Sequence, residues 1–230
     1  LDDGETYEQS KFEKWLDDKF GDKIKDIAIY FSVVVALAFS VVLFMLLPHF
    51  LSSLVGRFTD NTLILNTLEG VIKLVIFMTY IILISRMKDI QRVFEYHGAE
   101  HKSIACYESG AELTPANAAK CSRLHPRCGT SFLLIVMIVS ILIYACLPWK
   151  NTSFGLRIVY RLLLLPVVAG VSYEILKFAG RSKNKCVRIL TMPGLLLQKF
   201  TTREPDESQL EVAIASLKAV LTGNKEDDKW

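Results

Sequence analysis

Residues 27–56 read IAIYFSVVVALAFSVVLFMLLPHFLSSLVG, and no side chain in that run carries a fixed charge. A bilayer core asks for about 20 mostly apolar residues per spanning helix, so this stretch decides the fold class. A second run without fixed charge covers 129–149. Around these, the 230 residues are 51% hydrophobic with a net charge of +3, and the mean hydropathy is +0.32. Such a composition excludes disorder, collagen and a small disulfide scaffold, and it argues against an ordinary soluble globule. A small net charge with no long basic run excludes a nucleic-acid binder. The five cysteines have no regular spacing, which argues against a disulfide framework.

Working outward, the sequence predicts an all-α polytopic membrane protein with four transmembrane helices and cytoplasmic amphipathic helices. The chain starts at Leu1, which reads as a fragment or processed form. No basic segment and cleavage site precede the first run, so it reads as a retained span and not a signal peptide. The expected spans are 27–47, closed by Pro48, then 63–84, 130–147 and 158–177. The expected segments are an N-terminal amphipathic cytoplasmic helix over 1–26, two spans over 27–84, and a cytoplasmic helical segment over 85–129. Two further spans follow over 130–178, then cytoplasmic interfacial helices over 179–230. Helical spacing of Phe12, Trp15, Leu16 and Phe20 supports the first of these.

Basic residues set the sides. The 85–129 segment carries Arg86, Lys88, Arg92, Lys102, Lys120, Arg123 and Arg127, and the stretch after the last span carries Lys177, Arg181, Lys183, Lys185 and Arg188. Positive residues stay in the cytoplasm, which places both termini and the 85–129 segment inside. Glu69, Lys73 and Arg161 fall within the spans, where charge is costly and faces a partner or a wet cavity. Glu69 and Lys73 lie one turn apart. A structural ion pair between the second and fourth spans is the expectation. An ion or proton path that also uses Glu174 is the alternative.

Three of the four histidines fall in 97–125. The second span is expected to run on into one helix through residue 108. His97 and His101 then share a helical face, with Glu100 beside them. This H-x-x-E-H pattern is the inverted zinc-protease motif, in which two His bind zinc and Glu is the general base. Gly98 weakens the helix by about 1 kcal/mol but lets another element approach closely. Thr114 and Pro115 open a short helix that should end at Leu124. His125 and Cys128 then form an H-x-x-C pair at the mouth of the third span. Two short-spaced pairs flanking a helical hairpin can build one tetrahedral site. His97 and His101 with His125, Cys128 or Glu174 would leave a position open for water. Arg127 is expected to stabilise a developing oxyanion or hold a phosphate, with a positive-inside anchor of the third span as the alternative. Cys106, Cys121 and Cys146 read as packing residues. Pro193-Gly194 reads as a turn before a short interfacial helix. Asp206 and Gln209 form a capping box for a helix with Leu210, Ile214, Leu217 and Leu221 on one face.

The stretches Tyr96-His97-Gly98-Ala99-Glu100-His101-Lys102, Ser122 through Phe132, Ser172-Tyr173-Glu174 and Thr201 through Asp206 together resemble the YqhQ-like family. These are bacterial multi-pass membrane proteins of unknown function, often labelled metal-dependent enzymes. The resemblance covers nearly the whole chain. It implies a bacterial inner-membrane location, a metal site, and a further N-terminal segment with a Gly-Gly-Gln-Ala motif that is not present here.

The residues and the resemblance lead to one expected function: a metal-dependent hydrolase, a peptidase among the options, using zinc or a similar divalent ion at the cytoplasmic face. His97, His101, His125, Cys128 and Glu174 are the candidate ligands, and Glu100 and Arg127 the candidate catalytic residues. Membrane lipid and a membrane or peptide substrate are the expected partners, with a homo-oligomer open. A structural-metal scaffold is the second expectation, and a transporter or ion path the third.

Overall fold

The computed structural model describes residues 22–148, 152–181 and 185–222. The expected N-terminal helix up to residue 21, Trp149 and the tail from 223 lie outside the described residues. Every described element is helical, and the chain divides into two compact units at Phe50/Leu51.

The first unit is built on α1, Asp22–Val41, which passes through a π-helical turn, Val42–Leu46, into α2, Leu47–Val55. Pro48 was expected to stop this helix. Instead the widened turn precedes it, with the Leu47 N–H reaching back to the Val42 carbonyl. That extra residue per turn gives the proline ring room where an α-helical carbonyl would clash. The helix therefore runs from Ile27 to Val55 as one apolar segment.

In the second unit, α3 is Thr62–Ile84, capped by Asn61, whose side chain accepts the N–H groups of Leu63 (3.0 Å) and Ile64 (3.3 Å). It does not run on into the next helix as expected. Ser85, Arg86 and Met87 break it, and α4 begins afresh over Lys88–Glu108. The Ser85 hydroxyl bonds back to the Ile82 carbonyl at 2.8 Å, and the Ser85 carbonyl is taken by Arg203 at 3.2 Å. Side chains that claim backbone groups in this way end helices. The break separates an apolar helix from a polar one.

Next, α5 covers Pro115–Ala118, with Thr114 as its cap as expected. It ends earlier than Leu124 because Lys102 takes the Ala119 carbonyl at 2.8 Å and the Ser122 hydroxyl accepts the Leu124 N–H at 3.0 Å. The remaining helices are α6, Gly129–Ala145, α7, Phe154–Arg181, α8, Lys185–Thr201, and α9, Glu207–Val220. Pro193 and Gly194 were expected as a turn. They lie inside α8, where a Cβ at Gly194 would sit 2.7 Å from the Ser131 hydroxyl. The glycine lets α8 press against α6. The capping box of Asp206 and Gln209 on α9 is present.

Helix α6 packs against α3, α7 and α8, with Ile135, Val139, Val168 and Leu176 at its buried core. A separate core joins α4, α5 and α9: Ala99, Cys106, Ala118, Leu210, Ala213 and Ile214, with Cys121 packed against it. Among the described residues, three helices are long and apolar enough to cross a membrane: Ile27–Val55, Thr62–Ile84 and Phe154–Ala179. The fourth expected span, α6, is shorter, at 17 residues, or about 26 Å at 1.5 Å per residue.

Candidate metal centre

Helix α4 carries His97 and His101 on one face, and their rings meet edge-on with centroids 4.4 Å apart. Cys128 is delivered from the other side, as the N-cap of α6. One donor atom from each of the three lies within 4.8 Å of the other two, so the group can hold a metal ion.

The backbone orients both imidazoles. His97 Nδ1 is 2.7 Å from the Thr201 carbonyl oxygen, and His101 Nδ1 is 2.6 Å from that of Arg123. A carbonyl can only accept, so each Nδ1 carries the proton. Each Nε2 is the remaining ring nitrogen, and that of His97 lies 3.3 Å from the Cys128 sulfur. Metal-ligating histidines are held in this way by a second hydrogen bond that fixes the tautomer.

Glycine makes the first tether possible. A Cβ at Gly98 would lie 2.0 Å from the Arg203 carbonyl oxygen. The Thr201–Arg203 segment therefore lies directly on α4, and the Arg203 N–H donates to the Phe94 carbonyl at 2.8 Å. The expected close approach at Gly98 is present.

The second pair of tethers holds the Cys128 loop. Gln198 on α8 is 0% exposed. Its Oε1 accepts the His125 N–H at 2.8 Å, and its Nε2 donates to the His125 carbonyl and the Ser131 hydroxyl, both at 2.7 Å. Arg123 donates to the Thr202 carbonyl and hydroxyl, and Lys102 and Arg123 both pair with Glu204, at 2.9 and 3.3 Å. Glu204 thus ties two cations of the hairpin together.

At the sulfur, burial pushes the Cys128 thiol up. Hydrogen bonds from His101, His97 and Thr130 outweigh that and bring its pKa down to about 5. His97 is raised in turn, first by its bond to Cys128 and against the effect of burial. The same hydrogen bonds favour the thiolate, the form in which cysteine binds a metal.

Two expected ligands do not join the group. His125 sits beside it, its ring centroid 5.8 Å from that of His101, but both its nitrogens are engaged. Nε2 faces Glu108 Oε2 at 3.4 Å, and Nδ1 accepts the Arg127 N–H at 3.4 Å. Glu174 is further out of play: its side chain is 71% exposed, with Lys177 4.0 Å away. Both candidate catalytic residues line the cavity beside the three donors, an open space of about 320 Å³ that Ile104, Glu108 and His125 also border. Glu100 is exposed on its wall. Arg127 is engaged by Glu108, which divides its two oxygens between Arg127 and His125. Gln198 was missed by the sequence reading; its signal was an uncharged polar residue directly after the apolar run Leu195-Leu196-Leu197. The Thr201 and Arg123 carbonyls leave no signal in sequence.

A family model described as a protein of unknown function, DUF1385, matches residues 5–223. The chain is 39% identical over 204 residues to the uncharacterized protein YqhQ of Bacillus subtilis strain 168, a match that covers 86% of this chain and 64% of that protein. The chain thus spans less than two thirds of that relative's length. No solved structure matches. The chain belongs to the DUF1385 family.

Proposed function

We propose that this chain is a metal-dependent hydrolase of the bacterial inner membrane, with a divalent ion, zinc by the chemistry of its donors, held by His97, His101 and Cys128. The observation that carries the reading is the convergence of three donor atoms within 4.8 Å at the edge of an open cavity. Imidazole and thiolate are zinc donors, and three protein ligands leave a position open, as in catalytic sites. A bound ion of this kind supplies Lewis acidity and acidifies a water in its open position.

The chain's own residues do the rest. Glu100 takes a proton from water in the cavity and returns it to the leaving group. Arg127, through Glu108, holds the cavity rim. His125 anchors that rim and orders the approach to the sulfur. The topology that fits this reading has four spans, α6 crossing as a short central helix. The basic residues of 85–129 and of the chain after 177 then place the centre and both termini in the cytoplasm.

The test is elemental analysis and cobalt substitution of the detergent-purified chain. One ion per chain is expected, together with a thiolate-to-cobalt absorption that is lost in Cys128→Ser. Adding acetohydroxamate, a generic ligand for open metal positions, should shift the cobalt bands. Full metal occupancy in a His97→Ala/His101→Ala variant would end the proposal. A cobalt spectrum unmoved by the hydroxamate would assign the ion to a scaffold. A metal-free chain whose Cys128 is alkylated rapidly by iodoacetamide would point to a cysteine nucleophile with His97 as its base.

A further inference from the structure

We propose that the cavity enclosed by α3, α6 and α7 is a binding site for a phosphate group, on a lipid headgroup or as a free ion, held by Arg161 and Lys73. This cavity measures about 140 Å³ and is lined by Asn66, Glu69, Lys73, Ser140, Tyr144 and Arg161 among others. Its position on α6 is near the end opposite Cys128, so it is separate from the metal centre.

The charges do not balance. Lys73 Nζ at 2.8 Å and Arg161 Nη1 at 2.5 Å both rest on a single oxygen, Oε1 of Glu69, whose side chain is 1% exposed. Two cations therefore share one carboxylate. Glu69 is seven residues into α3, about 10 Å along a helix that is long and apolar enough to cross a membrane. Uncompensated charge at such a depth costs several kcal/mol.

The donors also do not close. Arg161 Nε is buried with no hydrogen-bond partner among the described residues. The neutral groups around the cavity have committed their hydrogens: Asn66 to the carbonyls of Ala145 and Leu147, Ser140 to Met137, and Tyr144 to Arg161. What remains facing the cavity is cationic donor. A water could satisfy Arg161 Nε but would leave the charge unbalanced. A phosphate oxygen does both, and guanidinium and ammonium are the groups that recognise it.

The probes are inorganic phosphate and phosphatidylglycerol, each added to delipidated, detergent-purified full-length chain, with chloride at equal ionic strength as the control. A rise in thermal midpoint with either probe supports the site. A response to phosphate identifies a free ion, and a response to the lipid alone identifies a headgroup. Lys73→Gln and Arg161→Gln each leave a one-to-one ion pair with Glu69. Each is expected to fold, to be no less stable than the wild type without probe, and to lose the response. If neither variant folds, retention of radiolabelled phosphate or lipid by the wild type decides: retention competed by unlabelled probe but not by chloride supports the site. Absence of response and retention for both probes, or an undiminished response in both variants, overturns it.

Discussion

At the N-terminal end of α6, two imidazoles and a thiol converge, and each imidazole is aimed by a carbonyl from another element. Near its C-terminal end, a carboxylate and two cations are paired mainly with one another. The first group is built from soft, weakly charged donors at the wall of an open cavity, so it can give up its internal bonds to a ligand. The second is built from full charges in a tight space around one carboxylate, so removing that carboxylate leaves two cations exposed to low dielectric. The difference teaches how a site for a cation and a site for an anion are built differently. In the first the far nitrogen of each ring is tied to the fold and the near one is turned toward the guest; in the second the cationic donors outnumber the carboxylate that holds them.

The comparison can be broken at its strongest point first. Replacing both histidines, His97→Ala/His101→Ala, is expected to take metal content from one ion per chain to background by elemental analysis, with the α-helical circular dichroism kept. At the other end, Glu69→Gln leaves Lys73 and Arg161 facing each other. It should cost about 3–5 kcal/mol, read as a lower thermal midpoint in detergent, with metal content per folded chain unchanged. If metal and stability fall together in that variant, the two ends are one unit and the contrast fails.

Smaller changes sharpen it. Gly98→Ala drives a methyl against the Arg203 carbonyl. It is expected to destabilise by about 1–3 kcal/mol, as overpacking does, and to weaken metal retention against a chelator because the Thr201 tether shifts. Gln198→Leu removes the clamp on the Cys128 loop, and metal affinity by competition titration should fall by about 10–100-fold, the usual loss for an outer-shell partner. Asp206→Ala removes only a helix cap. It should lower stability by about 1 kcal/mol and leave metal affinity untouched.

Much of this was legible in sequence where one residue's neighbours are local. The apolar runs, the Thr114 and Asp206 caps, the pairing of Glu69 with Lys73, and the i, i+4 face of His97 and His101 all follow from spacing. Sequence reading went astray wherever a distant element claims a backbone group. Arg203 takes the Ser85 carbonyl and ends the helix that was expected to continue. Lys102 takes the Ala119 carbonyl and shortens α5. It also misjudged prolines: Pro48 and Pro193 lie within helices, one relieved by a π turn and the other set beside a glycine contact. Of the alternatives for the third donor, His125, Cys128 and Glu174, it is Cys128 that converges on His97 and His101, while the His125 ring faces Glu108.

The two tethers on His97 and His101 end on main-chain oxygens, which every amino acid supplies. No side-chain replacement at 201 or 123 deletes the acceptor itself. Alanine at either of these two positions therefore leaves the acceptor in place, and a relative that differs there keeps both contacts as long as its backbone follows the same path. Retuning the rings takes a shift of that path, by an insertion, a deletion or a change such as Gly98→Ala that moves the segment lying on it, so the orientation of this centre is inherited through chain geometry and not through the residues that stand at 201 and 123.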